Sequence, residues 1–411
     1  MDEGILIFEM LFTYIFIYPI ILSIIWVCGG LFFAWKNERK SSYEKRFSKV
    51  MPHVTILVPC YNEEKTIHLT CNNLRSLDYS NYRVLFIDDG SKDQTSNIIQ
   101  SYVDKLPYFH LLKMERNCGK ASALNNALPL VETPLVLILD ADTILDRKAL
   151  KWLIAPFVFK PNIGAITANV FPKDCQSFWS KVQSSEFASI IGLIKRAQSV
   201  WGSIFTVSGC STLYKTEVLK QIGGFSPFTA TEDIDISWRI QRTFNRVLFE
   251  PKALAFISVP KSIGEYIKQH KRWVMGGWHL LRQHKNVFKN PKLYRLWMVY
   301  IELVLSCFWA FCFTGSLIYL ILSFLNGGEN MFSFIPEWYG AYASVLYLIQ
   351  TTIGIVLGYR YNKDLIKSLQ TACWYPLIFF VINPALVVFS CIKGLFGNTE
   401  VSGRWNSPAR N

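Results

Sequence analysis

The chain has 411 residues, 51% of them hydrophobic, and carries 43 Lys and Arg against 30 Asp and Glu, a net charge of +13. This combination is typical of a membrane protein with cationic cytoplasmic surfaces, and because the cations cluster beside apolar runs and no nucleic-acid motif occurs, we expect no nucleic-acid partner. The 10 cysteines have neither CxxC nor Cys/His ligand spacing, which argues against a cysteine-bound metal and indicates reduced, packed thiols.

The first predicted element is a membrane helix. Residues Ile5 to Trp35 contain one charge, Glu9, and exceed the roughly 20 residues that cross a bilayer. A cleaved signal peptide is not expected, because the chain begins with acids and its cations follow the apolar run. The positive-inside rule places the N-terminus outside and the middle of the chain in the cytoplasm. Residues 1–50 are therefore predicted to be a transmembrane helix and a basic linker.

Short β-rich runs alternate with helical patterns from residue 53 onward. The predicted strands are Val54 to Val58, Tyr82 to Ile87, His110 to Met114 and Pro134 to Leu139. This alternation predicts a mostly parallel α/β sheet in a cytoplasmic domain over residues 51–260. In such sheets ligands bind beyond the carboxyl ends of the strands, so the residues that follow each strand are candidates for a site.

Polar residues follow the first three of these strands. Asn62 is predicted to cap the helix after the first strand. Asp88 and Asp89 end the second strand, where a turn alone hardly requires two consecutive acids. After the third strand, Gly119 and Lys120 lie at a predicted helix start, where they can approach a phosphate.

Two aspartates, Asp140 and Asp142, follow the fourth apolar run. Closely spaced carboxylates at the end of a buried strand suit a hard divalent cation, Mg²⁺ or Mn²⁺, that bridges to a diphosphate. The alternative is that both carboxylates are solvated and cap the helix predicted to start near Arg147.

The second half of the domain contains two further polar segments. Ser208 to Tyr214 is predicted to follow an apolar strand, and its small residues would let an acceptor approach the backbone, although a simple turn is an alternative. Thr231 to Asp235 supplies three acids, and the alternative there is a capping Thr231 with acids in the first turn of a helix.

Gln269 to Trp273 is predicted to lie on an interfacial amphipathic helix within residues 261–296. On a helix Gln269, Arg272 and Trp273 share one face. Arg272 can neutralise a leaving diphosphate, and the ring of Trp273 can stack on a sugar. A helix that only lies on the membrane, with its cations at the headgroups, is the alternative.

Residues 297–411 are predicted to form further membrane helices and a basic tail. Three apolar runs have spanning length: Trp297 to Leu325, Tyr339 to Tyr359 and Thr371 to Ile392. Four crossings would leave the C-terminus outside, whereas Arg404 and Arg410 favour the inside. The last run contains Asn383-Pro384, which leaves open a kinked or re-entrant segment.

Taken in order, these motifs resemble those of family 2 glycosyltransferases, and Thr231-Glu232-Asp233 with Gln269-x-x-Arg272-Trp273 resembles their processive members. The resemblance implies a GT-A fold. It further implies that Tyr61, Glu63 and one or both of Asp88 and Asp89 hold the uridine of the donor. By the same resemblance the donor is bound by Lys120, Asp140, Gln269 and Arg272, and the metal-bound diphosphate by Asp142. The acceptor is bound by Gly209, Cys210 and Trp273. Asp233 becomes the candidate general base, and a base without an enzyme nucleophile predicts single displacement with inversion.

The overall layout is most similar to poly-β-1,6-N-acetylglucosamine synthases of the intercellular adhesion type. That resemblance implies a multi-pass plasma-membrane enzyme that uses UDP-GlcNAc and a divalent cation, extends a polysaccharide acceptor, helps to translocate it, and works with a small membrane accessory subunit. The alternatives are a chitin- or hyaluronan-type synthase, a lipid-linked sugar transferase, and a membrane protein that senses nucleotide sugar without turnover. The presence of Asp233 argues against the sensor.

Overall fold

The computed structural model describes residues 3–38, 51–326 and 339–397. Helix α1 (Glu3–Phe33) comes first and continues into a π-helical segment, Ala34–Glu38. Most of the predicted basic linker, and the C-terminal Arg404 and Arg410, lie outside the described residues.

An eight-stranded sheet forms the centre of the domain that follows. Its strands are β1 (Val54–Cys60), β2 (Tyr82–Asp88), β3 (Phe109–Lys113), β4 (Leu135–Leu139), β5 (Ile144–Leu145), β6 (Ile163–Pro172), β7 (Ser211–Lys215) and β8 (Arg246–Ile257). They lie side by side in the order β3-β2-β1-β4-β7-β6-β8-β5. The pairings β3-β2, β2-β1, β1-β4 and β6-β8 are parallel, whereas β7 is antiparallel to both of its neighbours and β5 to β8. The predicted α/β sheet is confirmed.

The sheet is buried on both faces, which explains the uninterrupted apolar runs of its central strands. Every residue of β1 is buried. Val54, Ile56 and Val58 enter one hydrophobic cluster, and Leu57 enters a second cluster on the other face. The covering helices are α2 (Ile67–Arg75), α3 (Thr95–Val103), α4 (Lys120–Ala127), α5 (Ala149–Phe159), α6 (Phe178–Phe187), α7 (Lys195–Trp201), α8 (Thr216–Gln221) and α9 (Glu232–Arg242).

Four helical stretches are long and apolar enough to cross a membrane: Met10–Glu38, Pro291–Leu325, Ala341–Tyr359 and Trp374–Phe396. After α9 and β8 the chain forms α10 (Ile263–His284), α11 (Tyr294–Leu325), α12 (Tyr339–Tyr359) and α13 (Trp374–Phe396). Helix α13 is continuous over 23 residues with Pro384 inside it. The last apolar run, for which a re-entrant segment was left open, is therefore one helix long enough to span a membrane.

Helix α6, a π-helical segment (Ala188–Ile194) and α7 follow one another without a break and connect the sheet to the membrane helices. Gln350 of α12 donates to Ser189 Oγ at 2.8 Å and accepts from Ser23 Oγ of α1 at 2.8 Å. Arg196 Nε lies 2.6 Å from Glu38 Oε1, and both side chains are buried. The α/β domain is thus attached to α12 and to α1 with its π-helical extension by buried polar contacts.

Candidate active site

Strand direction brings the separate polar segments to one edge of the sheet. Cys60 at the end of β1 pairs with Asp88 at the end of the parallel β2, and the end of β4 lies beside β1 on the other side. Because β7 is antiparallel to β4, its first residue, Ser211, pairs with Leu139 at the end of β4. The residues after β1, β2 and β4 and those before β7 therefore share one edge.

Asn62 does not cap a helix, so that prediction is wrong. Helix α2 begins only at Ile67, and its N-terminal neighbour is Thr66. Asn62 has a left-handed backbone, with φ 54°, and its side-chain oxygen accepts from the backbone N–H of Lys92 at 2.9 Å. Asparagine tolerates this conformation better than most residues. It ties the loop after β1 to the loop after β2.

The residues predicted to hold uridine lie in these two loops. Tyr61 is half-buried, and Glu63 is buried with its carboxylate accepting from Thr66 Oγ1 at 2.5 Å. The backbone N–H of Glu63 donates to Thr95 Oγ1 at 2.7 Å, which fixes the loop against the start of α3. Their contact with a base stays a prediction.

Asp88 and Asp89 have different partners although they are adjacent. Asp88 Oδ1 accepts from the backbone N–H of Ser91 at 3.0 Å. Asp89 is fully buried, and its two oxygens accept from the backbone N–H groups of Cys118 at 2.9 Å and Gly119 at 2.8 Å. Burial raises the pKa of Asp89, and these two hydrogen bonds offset only part of that rise. Asp89 therefore shapes the turn that begins α4.

That turn presents Lys120, which joins three separate motifs. Its ammonium lies 2.6 Å from Asp140 Oδ1 and 3.0 Å from Glu232 Oε1, and it donates to the carbonyl of Gly209 at 3.2 Å. Burial works against the charged form, but the two carboxylates outweigh it and raise the pKa of Lys120. The group is therefore a fixed positive charge at the centre of the site.

The two aspartates after β4 are held differently. Asp140 pairs with Lys120, and its backbone N–H donates to the carbonyl of Cys210 at 3.1 Å. Burial raises the pKa of Asp140, and Lys120 only partly offsets the rise. Asp142 is half-buried. The alternative of helix caps is wrong, because α5 begins only at Ala149, after Lys148.

The three acids at the start of α9 have three different environments. Glu232 pairs with Lys120, and Asp235 lies 2.6 Å from Arg239 and 3.2 Å from His284. Thr231 occupies the position before the helix, but its side chain makes no capping hydrogen bond, so the capping alternative is wrong for it. Asp233 is the remaining acid.

Asp233 faces the loop before β7. Its Oδ2 accepts from the backbone N–H of Gly209 at 3.3 Å, and its Oδ1 from Ile234 at 3.0 Å. Burial and the neighbouring Glu232 raise the pKa of Asp233 to about 6, against the opposing charges of Lys120 and Arg272. A carboxylate with a pKa nearer the working pH is a better general base than an ordinary aspartate.

The prediction that Ser208 to Tyr214 follows a strand is wrong, because Ser208 to Cys210 precede β7. These three residues, here called the acceptor loop, end the connection between α7 and β7, which covers residues 202–210, and Gly209 and Cys210 are half-buried. A Cβ atom at Gly209 would lie 3.1 Å from Oδ2 of Asp233, closer than an ordinary contact. Glycine therefore allows this close approach without displacing Asp233.

Helix α10 carries the Gln-x-x-Arg-Trp residues to the same region. Gln269 accepts from Gln183 Nε2 of α6 at 2.7 Å, Arg272 is exposed, and Trp273 is half-buried against the main core. The charge of Arg272 acts to lower the pKa of Asp233. The stacking of Trp273 on a sugar stays a prediction.

His270, within the same motif, was missed by the sequence analysis. Its Nε2 lies 2.7 Å from Glu186 Oε1 of α6, its Nδ1 lies 2.9 Å from the carbonyl of Tyr266, and all of its ring is buried. Both ring nitrogens lie beside oxygen atoms that can accept, an arrangement that favours the imidazolium form, which donates from both nitrogens. Burial opposes this charge, but Glu186 and the carbonyl raise the pKa of His270 above its ordinary value.

We expect the variants His270→Gln and Glu186→Gln to show strong thermodynamic coupling. A double-mutant cycle in thermal unfolding should give about 1 to 3 kcal/mol near pH 6, where the buried pair is charged. A histidine whose folded pKa is raised contributes stability below its unfolded pKa and loses it as pH rises through the folded pKa. The coupling should therefore shrink near pH 9.

The exposed pair of Lys367 and Asp364, 2.6 Å apart, is the matched control for this cycle. It lies in water and should show no measurable coupling at either pH. Equal coupling of His270 and Glu186 at both pH values would contradict an imidazolium and leave a neutral hydrogen bond.

The carboxylates of the site fit a cation shared with a substrate better than a resident metal. Among the described residues no group of three or more His, Cys, Asp or Glu side chains could hold an ion. Asp142 is half-buried at this edge, two residues after Asp140, which pairs with Lys120. Mg²⁺ commonly binds one or two carboxylates together with substrate phosphates.

Comparison with known sequences places this geometry in context. The profile of the Glycosyltransferase like family 2 matches residues 52–276. The chain is 34% identical over 406 residues to a poly-beta-1,6-N-acetyl-D-glucosamine synthase of Staphylococcus epidermidis, covering 97% of this chain and 98% of the relative. It is 32% identical over 413 residues to the synthase of the same name from Staphylococcus aureus, with the same coverage.

Among solved structures, the chain is similar to a mannosyltransferase from Pyrobaculum calidifontis in complex with GDP-Man and Mn²⁺. The two superpose with a TM-score of 0.61 over 89% of this chain and 99% of that one, at 19% identity. This likeness concerns the fold, and it confirms the predicted GT-A architecture.

Proposed function

The chain belongs to the family 2 glycosyltransferases and is a glycosyltransferase, and we propose that it polymerises N-acetylglucosamine from UDP-GlcNAc into poly-β-1,6-N-acetylglucosamine. The observation that carries this proposal is identity of 32–34% along nearly the whole chain, membrane helices included, to synthases of that product. The arrangement of Lys120, Asp233 and Arg272 around one edge of the sheet supports it.

In the proposed reaction Asp233 takes the proton from an acceptor hydroxyl as the hydroxyl oxygen attacks the anomeric carbon. The bond between that carbon and the diphosphate oxygen breaks, and UDP leaves with the bonding electron pair. One displacement inverts the anomeric centre, so an α-linked donor gives a β link. Asp233 is suited to this step because its carboxylate is half-buried beside the acceptor loop and its pKa is raised toward neutrality.

Positive charge is needed where the diphosphate leaves. Lys120 is held by Asp140 and Glu232, and Arg272 lies exposed on α10 beside the same acids. A bound divalent cation, Mg²⁺ or Mn²⁺, would neutralise further charge on the diphosphate, with Asp142 as its protein ligand. The uridine is assigned to Tyr61, Glu63 and the loop that contains Asp88.

The acceptor is assigned to the opposite side of Asp233. The acceptor loop, with Gly209 and Cys210, and the ring of Trp273 would hold the end of the growing polysaccharide. We further propose that the domain faces the cytoplasm, that the product leaves among the membrane helices, and that a small membrane subunit assists. The basic residues beside the predicted spans support this orientation.

The test is incorporation of labelled UDP-GlcNAc by the full chain in nanodiscs, with and without a co-expressed membrane partner. We expect long polymer with Mg²⁺ or Mn²⁺ and at least a tenfold loss with EDTA, restored by adding the metal back. Digestion with linkage-specific glycosidases assigns the link. Incorporation from UDP-glucose or UDP-glucuronate alone would keep the enzyme class and overturn the substrate, and a single transferred sugar would overturn processivity.

A further inference from the structure

Lys195 is a buried cation that the proposed reaction does not yet use. Its side chain is 4% exposed, and its ammonium donates to Ser208 Oγ at 2.8 Å. It is the first residue of α7, directly after the π-helical segment that ends at Ile194. A charge is costly to bury unless nearby groups stabilise it, so its neighbours indicate its role.

These neighbours form the acceptor loop and the candidate base. Ser208, which accepts from Lys195, is followed by Gly209, whose N–H donates to Asp233 Oδ2 at 3.3 Å. The carbonyl of Gly209 accepts from Lys120 at 3.2 Å. The loop is therefore held from two sides by lysines and contacts Asp233 between them.

We propose that Lys195 is a positioning residue that holds the acceptor loop against Asp233 and stabilises the ionised form of that carboxylate. This inference deepens the proposed function and rests on Asp233 being the base. It assigns to α7, which lies outside every glycosyltransferase motif of the chain, a direct influence on the reacting acid.

The balance of charge around the site shows why this cation matters. The charged and titratable groups that act on Asp233 or Lys195 from the packed elements are Glu232, Lys120, Arg272, Cys210 and Tyr214. Lys120 is already engaged by two carboxylates, and Arg272 is exposed to solvent. Lys195 is a further buried cation that acts on Asp233 in the same direction as Lys120 and Arg272.

The effect is reciprocal between the two residues. Burial lowers the pKa of Lys195 to about 8, and the carboxylate of Asp233 opposes that fall. In return, Lys195 holds the pKa of Asp233 below the value that burial and Glu232 alone would give. Loss of the ammonium should therefore raise the pKa of Asp233 and weaken the site at mildly acidic pH.

The test is the pH profile of sugar transfer by the full chain, with Lys195→Met and Lys195→Gln beside the wild type. We expect the acidic limb, which lies near pH 6 in the wild type, to move up by about one unit in both variants. At pH 6 this is a loss of about fivefold beyond any loss at pH 8, because the ionised fraction of Asp233 falls from about one half to about one eleventh. Lys195→Gln keeps a donor for Ser208 and guards against a folding defect in the apolar variant.

Ser208→Ala is the matched control, because it removes the hydrogen bond and keeps the ammonium. Its acidic limb should stay where the wild-type limb lies, whatever its rate. An unmoved limb in the Lys195 variants, or an equal shift in Ser208→Ala, would overturn the electrostatic role. If the wild-type profile has no acidic limb, both this inference and the assignment of Asp233 as base are overturned. If the wild type has the limb and the Lys195 variants do not move it, only this inference is overturned.

Discussion

Asp233→Asn is expected to reduce sugar transfer by about 10²- to 10⁴-fold while UDP binding is retained. The amide keeps the size of the side chain and its contact with Gly209, but it cannot take a proton from the acceptor. The hydrogen bonds of Asp233 go to the backbone of Gly209 and Ile234 and not to the loops assigned to uridine, so the donor should still bind. Transfer is measured by label incorporation, and UDP binding by calorimetry on the same preparation.

Asp235→Asn on the same helix is the control for this variant. Asp235 pairs with Arg239 and His284 and faces away from the acceptor loop, so its loss should lower the unfolding temperature and leave measurable transfer. Retained polymer synthesis by Asp233→Asn at the wild-type rate would remove Asp233 from the role of base. A loss of UDP binding equal to the loss of transfer would point instead to a collapsed site.

Lys120→Met should give the second large effect, on stability as well as on transfer. The change leaves Asp140 and Glu232 facing each other without the ammonium that now lies 2.6 Å and 3.0 Å away. Breaking a fully buried pair costs about 3–5 kcal/mol, and since these side chains keep 17% to 26% of their exposure, we expect about 2 to 3 kcal/mol. Transfer should fall together with UDP binding.

Lys151→Met is the matched control, because Lys151 pairs with Asp78 at 2.8 Å on the exposed surface. It should change neither the unfolding temperature nor transfer measurably. If Lys120→Met unfolds at the wild-type temperature, the two carboxylates take up protons at little cost and the triad is not a structural element. Adding Glu232→Gln to Lys120→Met should restore part of the lost stability, since it removes one of the two unpaired charges.

The sequence was most informative about the polar residues that directly follow predicted strands. Asp140 and Asp142 follow a strand buried on both faces, and such strands appear as continuous apolar runs. The residues after the four parallel strands β1 to β4 must then meet at one edge, so they could be identified as one candidate site before any contact was known. The family resemblance added the roles of Asp233 and Arg272, which no spacing alone implies.

The contacts that escaped prediction join residues far apart along the chain. His270 and Glu186 are 84 residues apart, and nothing in the polar stretch around Glu186 indicates a buried acid. Lys195 lies on α7, and its hydrogen-bond partner, Ser208, follows α7 only after an irregular segment. The prediction of a strand before Ser208 was wrong for a related reason. Strand β7 runs antiparallel to its neighbours, so the acceptor loop reaches the site at the start of β7 and not at the end of a strand.

The buried contact between Arg196 and Glu38 has a consequence for how the protein is made. Glu38 is synthesised 158 residues before Arg196, and Tyr361, which donates to the other oxygen of Glu38 at 2.6 Å, comes 323 residues after it. The contact therefore joins three segments that leave the ribosome far apart in time: the π-helical end of the first helix, the start of α7 and the residues after α12. It can be completed only after α12 has been synthesised.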